Sequence, residues 1–170
     1  MMIVLLIISF FLLLFIFWQI SNLISLAFGV PFVQTPKEQI KEAFQMADLK
    51  PDEKVYDLGS GDGSVLIVAV KDFKARAMGF EISPWYYLLS QYNLKQARIN
   101  SFAKVVYRDL NKVDLNKADV VYLYLMPKVI KNLEEKFRNL RKGLRIISFK
   151  FPILNLKPLR KNGEIYVYKS

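Results

Sequence analysis

Hydrophobic and polar positions divide the chain at residue 36. From Met2 to Trp18 every residue except Ser9 is apolar, and the character persists more weakly through Gln19, Ser21 and Asn22 to Phe28. About twenty helical residues at roughly 1.5 Å each span a ~30 Å hydrocarbon core, so the pattern predicts one transmembrane helix over residues 1–28. Leu, Ile and Phe fall on every face, which argues against a helix packed on a soluble core. Cleavage as a secretory signal is the main alternative, because Ser25-Leu26-Ala27 is a small-x-small sequence. The missing basic n-region and a run longer than the usual ~7–15 residues argue against it.

Beyond Gly29-Val30-Pro31-Phe32 the pattern alternates between short strands and helices. Thr35, Pro36 and Glu38 mark a helix start with Thr35 as N-cap, and Ile40, Phe44 and Ala47 form its inward stripe up to about Leu49. Strands are predicted at Val55–Leu58, Ala77–Phe80, Val105–Tyr107, Val120–Tyr124 and Leu144–Phe151. Helices are predicted at Ser64–Asp72, Pro84–Ile99 and Pro127–Arg141, and a closing hairpin over Leu156–Tyr168 turning at Asn162-Gly163. This order predicts an α/β fold: a Rossmann-like, mostly parallel sheet with a C-terminal antiparallel hairpin, occupying residues 29–170 behind the apolar helix.

Composition narrows the chemistry. The 170 residues include neither Cys nor His, which removes disulfides, thiolate zinc sites, cysteine nucleophiles and Ser-His-Asp triads. No metal is expected. Twenty-five Lys and Arg against 15 Asp and Glu give +10, and all of these charges lie after Pro36. The positive-inside bias therefore predicts a single-pass membrane protein with its domain on the cytoplasmic side. The excess charge suits an anionic leaflet first and non-specific nucleic acid second.

The decisive stretch is Val55-Tyr56-Asp57-Leu58-Gly59-Ser60-Gly61-Asp62-Gly63, where a strand passes through three glycines into a helix. Glycine lets a ligand lie against the backbone, and the helix N-terminus supplies unpaired N–H groups. The spacing is not the G-x-G-x-x-G of dinucleotide folds, and Asp57 and Asp62 would repel a pyrophosphate. They suit the cationic amino-acid end of S-adenosylmethionine. Glu81, next to Ile82 and about twenty residues on, stands where a carboxylate commonly accepts ribose hydroxyls. Asp109 and Leu110 follow the third strand, where a carboxylate or amide meets an adenine edge. Taken singly, the glycines also read as a tight turn, Glu81 as a helix cap before Ser83-Pro84, and Asp109 as a solvated loop residue. Their order, each after a strand, favours the cofactor reading.

The chain resembles the class I, seven-strand S-adenosylmethionine-dependent methyltransferases from about Val30 to the C-terminus. Within them it is most similar to small protein lysine methyltransferases: archaeal enzymes of broad specificity, and membrane-associated enzymes acting on the mitochondrial ATP synthase c-subunit and adenine nucleotide translocase. The resemblance rests on Val30-Pro31-Phe32-Val33 with Thr35-Pro36, Tyr56 to Gly63, Gly79-Phe80-Glu81-Ile82-Ser83-Pro84-Trp85, and Asp109-Leu110 with Lys112 to Leu115. Leu133 to Lys136 and Arg145 to Pro152 complete it. The glycine motif is common to the superfamily, whereas the Val-Pro-Phe-Val and Glu-x-x-Pro-Trp elements are narrower.

The resemblance implies S-adenosyl-L-methionine as cofactor, held by Asp57, Gly59, Ser60, Gly61, Asp62, Gly63, Glu81, Ile82, Asp109 and Leu110. It also implies a protein lysine as acceptor, with Phe32 and Thr35 as a lid; Tyr124, at the carboxyl end of the fourth strand, is the candidate to orient the amine, and the tether favours a lysine presented by a membrane protein. Tyr122 and Tyr124 also read as plain core residues, and Phe32 as a membrane-interface anchor. Trp85 stacks on adenine or packs on the sheet; Tyr86 and Tyr87 are expected to pack. Tyr122-Leu123-Tyr124-Leu125 replaces the Asn-Pro-Pro-Tyr sequence of amino-methylating DNA enzymes, so no specific nucleic acid is expected. A methyltransferase for a lipid or quinone-like molecule, and an anchored binding module without catalysis, are the rival readings.

Overall fold

The computed structural model describes all 170 residues. Helix α1 runs without a break over Met2–Ala27, 26 residues, and is long and apolar enough to cross a membrane. Next come α2 (Lys37–Met46), β1 (Lys54–Leu58), α3 (Ser64–Phe73), β2 (Arg76–Glu81), α4 (Pro84–Gln96) and β3 (Ala103–Tyr107). After two single-turn 3₁₀ helices follow β4 (Val120–Leu123), α5 (Pro127–Arg138), β5 (Arg145–Phe149), β6 (Arg160–Asn162) and β7 (Ile165–Lys169).

The seven strands form one sheet in the order β3-β2-β1-β4-β5-β7-β6. The first five are parallel, and β7 is antiparallel to both β5 and β6. Because β1 lies between β2 and β4, successive crossovers leave in opposite directions there and open a crevice beyond the carboxyl ends of β1 and β4. The period-two alternation splits the core between the two sheet faces. Val55, Val120 and Tyr122 join α2, α3 and α4 on one face, while Leu58, Val121 and Leu123 join α5 on the other.

Several boundaries depart from the sequence reading, four of them near the site or at helix ends. Helix α5 stops at Arg138 rather than Arg141, α4 at Gln96 rather than Ile99, and β4 at Leu123, so Tyr124 lies just past its strand. Helix α2 starts at Lys37 with Pro36 as N-cap and no side-chain cap bond. Thr35 is therefore not the cap; its side chain is buried beneath the segment that precedes α2.

Arg145 ties the start of β5 to the end of α2. It donates to Ala47 O and Asp48 O at 2.8 Å each and to Glu53 Oε1 at 2.5 Å. The pair is shielded, with side chains 15% and 25% exposed. Removing one partner strands the other, so Arg145→Ala is expected to lower unfolding free energy by about 3 kcal/mol. Urea denaturation measures this, and affinity for S-adenosylhomocysteine should stay within about twofold.

Candidate active site

Strand β1 delivers Asp57 to the crevice, 2% exposed, in register with Gly79 of β2 and Tyr122 of β4. The chain then turns through Gly59 and Ser60, whose amides both donate to Phe80 O at 2.9 and 3.1 Å. Gly59 and Gly61 have φ of +82° and +52°, a region that disfavours side chains. A Cβ on Gly61 would sit 2.6 Å from the Phe32 ring, and one on Gly59 would sit 3.0 Å from Val30. The backbone is thus bare where the Val30–Thr35 segment crosses it.

Glu81 organises the far side. Its Oε2 accepts the Gly61 amide at 2.8 Å, and its Oε1 accepts those of Ile82 and Ser83 at 2.9 and 2.8 Å. Burial raises its pKa, and the three backbone N–H groups partly offset this. One acceptor position on Oε2 remains for a ligand hydroxyl. Asp62 Oδ1 caps α3 through the Ser64 amide at 3.0 Å, and its Oδ2 accepts Gln34 Nε2 at 3.3 Å. Gly63 closes the loop as N-cap of α3. Asp109 accepts both the backbone and side-chain N–H of Asn111 at 2.9 Å and so starts a 3₁₀ turn. Glu81 binds amides ahead of α4 without capping that helix, Asp109 caps a 3₁₀ turn where the alternative was a solvated loop residue, and both line the crevice.

Only three buried side-chain polar atoms in the chain lack a hydrogen-bond partner: Asp57 Oδ2, Ser60 Oγ and Tyr122 OH. All three line one cavity. Burial, then the charges of Glu81 and Asp62, push the Asp57 pKa well above its ordinary 3.8. Burial likewise raises that of Tyr122, which the neighbouring Thr35 hydroxyl partly offsets without forming a well-directed bond. Orphaned buried polar groups are rare because each costs about 1–3 kcal/mol. Three in one cavity mark a polar ligand site, and a carboxylate among them suits a cationic ligand. The glycine backbone without side chains, Asp57 and Glu81 together fit the amino-acid and ribose parts of S-adenosylmethionine.

The cavity brings together Phe32, Thr35, Asp57, Gly59, Ser60, Gly61, Asp62, Glu81 and Tyr124. Ile82, Asp109 and Leu110 line an adjoining pocket, joined to the first through Val30, Gly59 and Glu81. Phe32 lies over Gly61 and stacks on Tyr86, with centroids 4.4 Å apart. It leaves a cavity of about 40 Å³ beneath the Pro31–Gln34 strap, room for only a few waters. Tyr86 was expected to pack on the sheet but lines the cleft, whereas Trp85 turns to Phe17 of α1 at 6.2 Å. Sequence reasoning also missed Tyr122 as a lining residue, Gln34, and Ser25 of α1, which enters the wall from the apolar helix.

Beyond Tyr124 lies a second cavity of about 170 Å³, walled mainly by Val30, Pro31, Val33, Leu125, Met126 and Phe151. Tyr124 lines both cavities and packs edge-on against Phe149 at 5.0 Å.

Comparison with known proteins agrees with this geometry. The model of the ANTKMT methyltransferase domain matches residues 57–160. A protein-lysine N-methyltransferase of Saccharolobus islandicus is 33% identical over 82% of this chain and 92% of its own length. The adenine nucleotide translocase lysine N-methyltransferase of Mus musculus is 33% identical over 83% of this chain, which spans 62% of that enzyme. The crystal structure of an RNA methyltransferase from Salinibacter ruber in complex with S-adenosylhomocysteine superposes with a TM-score of 0.77 at 32% identity, covering 81% of this chain and 93% of that one. The orphaned carboxylate, the glycine cradle and these matches converge: the chain belongs to the ANTKMT methyltransferase-domain family and is an S-adenosylmethionine-dependent methyltransferase.

Proposed function

We propose that the protein is a membrane-anchored protein-lysine N-methyltransferase, with residues 1–28 as a single-pass anchor and residues 29–170 as the catalytic domain on the cytoplasmic side. The observation that carries the acceptor assignment is the pair of cavities meeting at Tyr124, one polar and acidic, the other lined mostly by apolar side chains with Lys150 as its one charged wall. The second suits an unbranched aliphatic chain with an amine at its tip. Both curated relatives above are named for lysine methylation. The absence of charge before Lys37 and the length of α1 support the anchor.

The bound cofactor supplies an electrophilic methyl group on a sulfonium, and this chain's residues supply alignment and dryness. Asp57 and Asp62 place negative charge beside the loop to receive an ammonium, the Gly59 and Gly61 backbone permits close approach, and Glu81 receives ribose hydroxyls. A lysine ammonium, with a pKa of about 10.4, must shed its proton before it can act as nucleophile. Val30, Val33, Leu125 and Phe151 favour the neutral amine by excluding water, and Tyr124 offers a hydroxyl to orient its lone pair. Phe32 and Thr35 close the strap over the reacting atoms, so the displacement proceeds in line within an enclosed site.

The full chain in lipid vesicles, supplied with methyl-labelled cofactor and either membrane or soluble proteins, tests this reading. Methyllysine recovered from membrane protein hydrolysates is the expected result. Label in the lipid extract alone would assign a lipid acceptor instead. In the same assay Met126→Trp, which fills the second cavity, should cut transfer by about 100-fold while S-adenosylhomocysteine still binds normally.

A further inference from the structure

Helix α1 contains two buried polar side chains, Ser21 and Ser25, one turn apart on the same face. The large apolar side chains from Met1 to Ile16 are all exposed. The two serines meet the start of α4. Proline at the first position of α4 has no N–H to satisfy, and its N-cap Ser83 makes no cap bond within its own helix. Instead Ser21 Oγ accepts the Trp85 amide at 3.3 Å, and Ser83 Oγ donates to Ser21 O at 3.4 Å. A serine of the apolar helix thus caps α4 from outside, and Phe17 covers the joint against Trp85.

The joint continues into the cleft. Ser83, whose hydroxyl touches α1, donates its amide to Glu81 Oε1 at 2.8 Å, and the other oxygen of Glu81 holds the Gly61 amide at 2.8 Å. Ser25 lines the polar cavity itself, and its carbonyl accepts the Val30 amide at 2.9 Å where the strap begins. Phe28, one residue past α1, lines the adjoining pocket with Ile82 and Asp109.

We propose that the last two turns of α1 are part of the cofactor site: Ser21 is a positioning residue that acts through Ser83 and Glu81 on the glycine loop, and Ser25 sets the root of the strap. This rests on the cofactor placement given under the proposed function. The apolar helix therefore does more than tether. Its seating against α4 sets the affinity of the cleft for S-adenosylmethionine, and a chain with the helix displaced holds the cofactor weakly although its sheet is intact.

The test is calorimetric titration of S-adenosylhomocysteine into the full chain in phosphatidylglycerol nanodiscs. Ser21→Ala, which deletes the external cap, is expected to raise Kd about fivefold, and Ser21→Leu, which also wedges the helices apart, by about tenfold or more. The binding stoichiometry should stay near one in both, and KM for the cofactor should rise while kcat changes little. Ser83→Ala should match Ser21→Ala, and the double variant should be no worse than either single one, because both act on one joint. Leu13→Ala, on the lipid-facing surface, should leave Kd unchanged. A Kd within twofold of wild type in Ser21→Leu overturns the proposal, as does a fall in stoichiometry at constant Kd, which would report misfolding only. Asp57→Ala in the same assay separates the two readings. If Asp57→Ala loses binding and Ser21→Leu does not, the positioning role alone fails; if Asp57→Ala binds like wild type, the cofactor placement itself fails.

Discussion

Asp57→Asn is expected to weaken S-adenosylhomocysteine binding by about 100-fold and, in the same protein without ligand, to raise the melting temperature. The two effects have one cause. Asp57 is a buried carboxyl with an unpartnered oxygen, and its pKa is pushed up first by burial and then by the charges of Glu81 and Asp62. A folded-state pKa above the unfolded one means that the folded protein holds the extra proton. The associated stability is then complete below the unfolded value near 3.8 and is lost as the pH rises through the folded value. Glu81, also raised, contributes in the same direction. The ligand-free wild type should therefore lose stability as the pH climbs from about 4 toward neutral, and Asp57→Asn should flatten that slope. Ligand at 100 times the wild-type Kd should reverse the order, since it adds about 2.7 kcal/mol to the wild type and only about 0.4 kcal/mol to a variant that binds about 100-fold more weakly. Melting curves across pH, with and without S-adenosylhomocysteine, read all of this. A lower melting temperature for ligand-free Asp57→Asn at neutral pH would show that the carboxylate is a structural group.

Gly79→Ala carries the second large effect, at a residue outside the glycine motif. Gly79 lies within β2, paired with Asp57 on one side and Val105 on the other. A Cβ there would stand 2.5 Å from Ser60 Oγ, 2.6 Å from Ser60 Cβ and 2.9 Å from Leu66 Cδ1. Leu66 can give way, but Ser60 Cβ moves only with its backbone, and that backbone is the cradle. The expected outcome is a loss of about 2 kcal/mol in stability and a drop of about 30-fold in S-adenosylhomocysteine affinity. Ser60→Gly in the Gly79→Ala background removes the obstructing atoms and should recover most of the affinity. If the double variant binds no better than Gly79→Ala, the clash with Ser60 is not the cause.

Asp57, the three glycines and Glu81 were legible because they lie at or shortly past the carboxyl end of a strand whose apolar run is unmistakable, and strand ends are where such a sheet binds ligands. Gly79 and Tyr122 were not legible as site residues, because their importance comes from sharing a row with Asp57, and sequence does not give register across parallel strands. Thr35 shows the opposite failure. Thr-Pro-x-Glu satisfies a helix-start pattern, but the chain enters α2 through Pro36 while the Thr35 hydroxyl lies against Tyr122, so tertiary demand outweighed a local rule. Tyr86 lines the cleft instead of packing on the sheet, and Trp85 takes neither expected place because its neighbour is Phe17, 68 residues away in sequence and on a helix that reads as lipid-facing on every side. Ser21 and Ser25 were hidden by the same uniform apolarity.

The unbroken run of α1 from Met2 to Ala27 also bears on which acceptors the enzyme can serve. At roughly 1.5 Å per residue the stretch before Phe17, where α1 meets Trp85, reaches about 22 Å, less than a ~30 Å hydrocarbon core, so anchoring as proposed would hold the docked last turns and the cleft at the membrane surface. With residues 1–28 as the proposed anchor, no slack chain would separate bilayer from chemistry, and the helix would work as a ruler. An acceptor is then selected by the height at which it holds its amine above the lipid, and by lateral diffusion within that thin layer, more than by the residues flanking it. Sequences with nothing in common would be methylated alike if they present a lysine at that level, and a matching sequence a few ångströms farther out would be passed over.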